Sequence, residues 1–182
     1  MTGHSHVWRR QRRGFTMVEL IVVMVLMGLL GAIGIARFFD RSSFDADAFT
    51  EQTRAMLRYA QKVAVARNGE VSVRLNGSSV ALCLGAAANC GTGSQVVAPA
   101  GGNSGSGATR AACGAAAAWY CEGVPQGITY QLTGAAGYFY FDALGRPHTS
   151  SGPLASPGLT LTISGDGLTR SVRVEPETGY VH

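Results

Sequence analysis

Residues 12–37, RRGFTMVELIVVMVLMGLLGAIGIAR, decide how this chain is read. Between Arg13 and Arg37 lie 23 residues, and Glu19 alone among them is charged. At roughly 1.5 Å rise per residue, an apolar helix of about 20 residues crosses a hydrocarbon core of about 30 Å. The segment 15–36 is therefore expected to span a membrane. Glu19 is out of place in a plain anchor. A carboxylate within an apolar span costs on the order of 2.5–3.5 kcal/mol at mid-helix and less toward an interface, which marks it as a candidate functional residue. Gly28, Gly31 and Gly34 recur every third residue. Each costs about 1 kcal/mol relative to Ala in a helix, so the second half of the segment is intrinsically looser, and small residues also let helices approach closely.

On the N-terminal side, residues 1–14 hold Arg9, Arg10, Arg12 and Arg13 and no acid. Basic residues flanking a first apolar segment stay cytoplasmic, so the chain beyond Arg37 is expected to be translocated. A cleaved secretory signal would have a shorter apolar core with a small-residue site after it; Leu29-Leu30-Gly31-Ala32 imitates one, but the apolar run continues past it. The same four arginines account for the formal charge of +4. Without them, 11 of the 15 basic residues remain against 11 acidic ones. The rest of the chain is neutral, which removes the compositional case for nucleic-acid binding.

On the C-terminal side, residues 37–68 read as an amphipathic helix, with Phe49, Met56, Ala60, Val63 and Ala64 on one stripe. Acidic residues (Asp40, Asp45, Asp47, Glu51) precede basic ones (Arg54, Arg58, Lys62, Arg67), the order that suits a helix dipole, and Asn68-Gly69 is the stop. Ser42-Ser43 either starts a separate helix or interrupts a continuous one. After Gly69 the period becomes two. Residues 70–75 and 79–84 alternate around Asn76-Gly77, a hairpin signal. Strands are expected again at 128–132, 138–141, 159–163 and 170–175, the last pair turning at Gly165-Asp166-Gly167. Residues 85–118, rich in Gly, Ala, Ser and Asn, read as a flexible surface loop. The 25 glycines in 182 residues suit a β-rich, loop-rich domain over 69–182. No second long helical pattern exists, so the apolar stripe is expected to lie on the sheet. The fold class expected is α+β: a long N-terminal helix whose C-terminal half packs on an antiparallel sheet.

Gly14-Phe15-Thr16-Met17-Val18-Glu19, behind a basic leader and ahead of an unbroken apolar run, resembles the processing site of type IV prepilins and type II secretion pseudopilins. The resemblance implies cleavage by a prepilin peptidase between Gly14 and Phe15, N-methylation of Phe15, and a neighbour-pairing role for Glu19 in assembly. The physics agrees with such a role. A new amine at Phe15 placed in a low-dielectric helix bundle needs a counter-charge, and Glu19 lies one turn away. Phe141-Asp142-Ala143-Leu144-Gly145-Arg146-Pro147, the segments 159–163 and 170–174, and Thr178-Gly179 resemble the group containing secretion pseudopilin H and fimbrial protein T. The likeness is greatest to minor pilins of mannose-sensitive haemagglutinin (MSHA) type. Many pilins carry a proline at the position of Ala36; this chain does not, so no proline kink is expected.

Cys83, Cys90, Cys113 and Cys121 all lie in the part expected to be translocated, where thiols oxidise. Three pairings are possible; Cys83–Cys90 and Cys113–Cys121 are favoured because each closes a short local loop beside a strand. Their spacings do not suit zinc. No catalytic set stands out, since HExxH, GxSxG and paired-carboxylate motifs are all missing from the sequence. No cofactor is implied. Trp119-Tyr120 and residues 138–141 read as core and strand rather than a stacking platform. The function expected is a minor pilin or pseudopilin, in a type IV pilus of MSHA type or at its tip. The alternatives are a type II secretion pseudopilus subunit and a DNA-binding minor pilin of fimbrial protein T type. The end Thr178-Gly179-Tyr180-Val181-His182 lacks the arginines the last role would use. Expected partners are the peptidase, other pilins, an inner-membrane assembly platform and, before assembly, lipid; nucleic acid is not expected. The resulting location is the inner membrane with the C-terminal domain periplasmic, then the fibre.

Overall fold

The computed structural model describes residues 16–39, 41–165 and 167–182, with side chains in 32–43 not described. The leader 1–14, Gly14, Phe15 and Asp166 of the expected hairpin turn lie outside the described residues. The chain divides into two units, Met1–Asp40 and Arg41–His182. The first contains helix α1, Met17–Phe39. Thr16 starts it: its hydroxyl accepts a hydrogen bond from the Glu19 amide at 3.2 Å, and its carbonyl accepts one from the Leu20 amide at 3.2 Å. Every described side chain of this helix, from Met17 through Gly31, is exposed. Among the described residues no helix is long and apolar enough to cross a membrane.

In the second unit, α2 (Arg41–Arg67) buries Ala46, Phe49, Thr53, Met56, Leu57, Ala60 and Ala64. Steps of three and four, with a single step of one from Met56 to Leu57, keep these on one face. The helix stops where expected. Asn68 adopts φ 49°, and the Gly69 amide bonds back to the Ala64 carbonyl at 3.0 Å. Among the described residues nine strands follow: β1 (Val71–Leu75), β2 (Ser79–Leu84), β3 (Cys121–Gly123), β4 (Ile128–Thr133), β5 (Tyr138–Phe141), β6 (Pro147–Thr149), β7 (Gly152–Pro153), β8 (Leu159–Gly165) and β9 (Leu168–Val174). They form a six-stranded sheet, β3-β2-β1-β5-β6-β7, and a three-stranded sheet, β4-β8-β9. All the pairings are antiparallel.

The β1–β2 hairpin closes on Asn76, whose Oδ1 accepts from the Ser78 and Ser79 amides at 3.1 and 2.8 Å, with Gly77 at φ 86°. Both sheets press on α2. Val71, Val73, Val80, Leu82, Phe139 and Phe141 come from the first sheet, and Leu159, Leu161, Ile163, Val172 and Val174 from the second. The Tyr130 hydroxyl joins the sheets, accepting from the Gly77 amide at 2.7 Å and donating to the Ser79 carbonyl at 2.9 Å.

Residues 85–118 differ from the unstructured loop their composition predicts. They contain a 3-10 turn, Thr92–Ser94, and helix α3, Gly107–Cys113, capped by the Ser106 hydroxyl, which accepts from the Thr109 amide at 3.1 Å. This excursion covers the face of β2 and β3 turned away from α2. There Ala81, Cys83, Cys113, Trp119 and Cys121 make a second small core. The Trp119 indole N–H donates to the Leu82 carbonyl at 2.8 Å. Tyr138 and Tyr140, by contrast, stand half-buried on the outer face of β5.

Candidate functional site

Two places carry the residues singled out from the sequence. The first is the start of α1. A Thr three residues before a Glu, ahead of an apolar run, is a capping pattern, and the Thr16 hydroxyl makes its half of that contact. Glu19 lies in the first turn, where a carboxylate meets the positive end of the helix dipole. The residues after it, Leu20, Ile21, Val22, Val23, Met24 and Val25, are 41–67% exposed and surround the helix. A helix that is apolar all round requires lipid or other helices as its environment. Gly14 and Phe15, the expected cleavage point, lie outside the described residues. Thr16 was not singled out from the sequence, although that spacing is its signal.

The second place is the turn after β5. Asp142 Oδ1 accepts from the Leu144 and Arg146 amides at 2.9 and 2.8 Å; Oδ2 accepts from Arg146 Nε at 3.3 Å and lies 3.1 Å from His148 Nε2. Burial on its own would raise the carboxyl's pKa. The Arg146 amide, the His148 ring, the Leu144 amide and the Arg146 charge outweigh burial and lower it. His148 also stacks on Tyr140, with ring centres 5.2 Å apart. The turn is held against α2 by Gln61, whose amide donates to the Gly145 and Thr178 carbonyls, both at 2.9 Å. Gly179 (φ 66°) fits at that junction because a Cβ there would lie 2.2 Å from the Gly145 carbonyl oxygen. Arg58 clamps the C-terminus, donating from Nε and Nη2 to the Val181 carbonyl at 3.1 and 2.9 Å. The turn and the terminal Thr178-Gly179, distant in sequence, thus meet on one side of α2. Nothing in the sequence pointed to Gln61 as their common partner.

The four cysteines form two bonds, Cys83–Cys90 and Cys113–Cys121, with Cα separations of 5.5 and 5.9 Å. Beside the second lies Glu122, only 3% exposed. Its carboxylate accepts from the Ser104 amide at 2.8 Å, the Ser104 hydroxyl at 2.5 Å and the Thr109 hydroxyl at 2.9 Å. It therefore ties Ser104 and Thr109 to β3 with three donors and, among the described residues, no cation. Among the described residues no three His, Cys, Asp or Glu side chains come together to hold a metal.

The model of the prokaryotic N-terminal methylation motif matches residues 9–35, so it takes in Arg9 through Gly14, Phe15, Glu19 and most of α1. The start of the chain is similar to that of type IV pilins. A stretch of 52 residues is 38% identical to the type IV narrow pilus major component PilA5 of Thermus thermophilus, covering 29% of this chain and 45% of that protein. The chain thus spans less than half the length of that curated relative. The crystal structure of the type IV minor pilin FimU of Pseudomonas aeruginosa superposes with a TM-score of 0.52 at 17% identity, covering 80% of this chain and 90% of that one. At that identity the likeness shows the shared fold: an N-terminal helix followed by antiparallel sheet.

Proposed function

We propose that this pilin-like chain is a minor pilin. It enters the inner membrane with residues 1–14 cytoplasmic and is cut by a prepilin peptidase between Gly14 and Phe15. It is methylated on the Phe15 amine and then assembles with other pilins, through an inner-membrane platform, into a type IV pilus of MSHA type or its tip. The methylation-motif match over residues 9–35 carries this reading. The exposed apolar surface of α1 supports it, because lipid first and neighbouring helices later supply the apolar surroundings that surface requires. In this reading Glu19 pairs with the methylated amine of a neighbour. In a low-dielectric bundle an unpaired charge is expensive and a paired one tolerable, so the pairing sets axial register. The chain acts as a structural subunit and not as an enzyme.

The test is recruitment. Sheared pili from cells expressing Glu19→Ala in the full chain should contain at least tenfold less of it than of the unaltered chain, with equal amounts in the membrane fraction. Equal incorporation of the two would overturn the docking role of Glu19.

A further inference from the structure

The lobe over residues 85–118 contains a cavity of about 380 Å³, lined by Asn103, Gly105, Arg110, Gly114, Ala115 and Ala117. Between Arg74 and Glu122 the sequence has one charged residue, Arg110. Among the described residues Arg110 forms no ion pair with a carboxylate. Glu122, the acid nearest to it in sequence, is 3% exposed and already accepts from Ser104 and Thr109. The cavity thus carries a cation whose counter-charge this lobe does not supply.

Arg110 Nη1 donates to the Gly105 carbonyl, which fixes the guanidinium and leaves Nε and Nη2 for an outside acceptor. Those two N–H groups are parallel, the fork that binds a carboxylate through both of its oxygens. The walls are built beforehand. Asn103 donates from its main-chain amide to the Ala117 carbonyl at 2.8 Å and from Nδ2 to the Ala116 carbonyl at 3.2 Å. The Gly114 amide donates to the Arg110 carbonyl at 3.1 Å, and the adjoining Cys113 is bonded to Cys121. An occupant therefore orders little on entering. Apart from Asn103 and Arg110, no side chain on the wall is longer than a methyl, so an acid reaches the guanidinium unobstructed. All the lining residues except Asn103 are exposed. Such a saucer does not enclose a free small molecule, whose pocket buries most of its surface. It fits a side chain delivered by a larger surface, which closes the mouth as it docks.

We infer that the cavity receives an aspartate or glutamate side chain of a different pilin, its carboxylate held by Nε and Nη2 of Arg110. In open water an exposed pair of this kind contributes little; the partner's surface excludes that water and strengthens it. The inference rests on the reading of the chain as a subunit placed among other pilins. It adds the polarity of one contact, with this lobe as the basic side and the neighbour as the acidic side, independent of Glu19.

The test uses the full chain in cells. Ala118, exposed and next to the wall residue Ala117, is replaced (Ala118→p-benzoylphenylalanine) as a photo-crosslinker, and adducts from sheared pili are mapped by mass spectrometry. Adducts to another pilin are expected, at residues adjoining an Asp or Glu. Adding Arg110→Glu should lower their yield at least fivefold. Replacing the mapped acid of the other pilin by arginine should then restore it, a recovery that a merely damaged lobe would not show. Adducts only between copies of this chain, adducts away from any acid, no adduct, a yield indifferent to Arg110→Glu, or no recovery on the charge swap would each overturn the contact. If the unaltered chain is absent from sheared pili, the filament reading fails on its own. Adducts are then read in the membrane fraction, where a pilin acid that obeys the same swap supports the contact and its absence refutes it.

Discussion

At Asp142 the sign of the pKa shift sets a pH dependence. Its carboxyl is lowered despite burial, so the folded state holds the ionised form more firmly than the unfolded chain does. That contribution is fully present above the unfolded carboxyl value of about 3.9 and is lost as pH falls through the folded value. Thermal melts of the intact chain should therefore hold steady between about pH 7 and 5 and fall below about pH 4. Asp142→Asn should cost about 1–2 kcal/mol at neutral pH and make the acid decline shallower; an unchanged acid slope would contradict this. Gly179 offers a steric counterpart. Gly179→Ala places a methyl 2.2 Å from the Gly145 oxygen at positive φ, whereas Gly77→Ala adds a methyl to open space, also at positive φ. The first should cost at least about 1 kcal/mol more than the second, because it adds a clash to the same backbone strain. Neither Gln61 nor Glu122 was legible beforehand. Gln61 meets Thr178 across 117 residues and Glu122 meets Ser104 across 18, and no local pattern encodes such partners.

At the scale of elements, periodicity was informative wherever one face is buried. The stripe Phe49, Met56, Ala60, Ala64 places α2 on its sheets, although Val63 proves half-buried and Ala46, Thr53 and Leu57 complete the face. Asn76-Gly77 locates the first hairpin because only a few residue types close so tight a turn. Helix α3 escaped notice because an Ala- and Gly-rich segment has no apolar period; its only signal is Ser106 ahead of Thr109. Two measurements follow. Thr53 is fully buried and its hydroxyl has no partner among the described residues, so Thr53→Val should raise stability by about 1 kcal/mol in a denaturant titration. Non-reducing peptide mapping should recover Cys83–Cys90 and Cys113–Cys121. Replacing the second pair with serines should cost about 2.5 kcal/mol, the chain-entropy value for so short a loop. A mapped cross-pair, or no loss of stability, would count against the stapled lobe.

For the whole molecule, the two units answer to different surroundings. The β-rich unit buries apolar faces of its own on both sides of β2. The described part of α1 buries none of its side chains and makes sense only among lipids or other helices. Segment 12–37 announced that division, since an apolar run of that length with a single acid has no place in a soluble core. The likeness to FimU then shows that the remainder of the chain has a pilin-like fold. In the proposed function residues 1–14 are removed before assembly, and that step would leave a definite chemical mark. Intact-mass and N-terminal analysis of the protein extracted from membranes tests it most directly. The account predicts a chain that begins at N-methylated Phe15; a chain that retains Met1, or begins at any other residue, would contradict it.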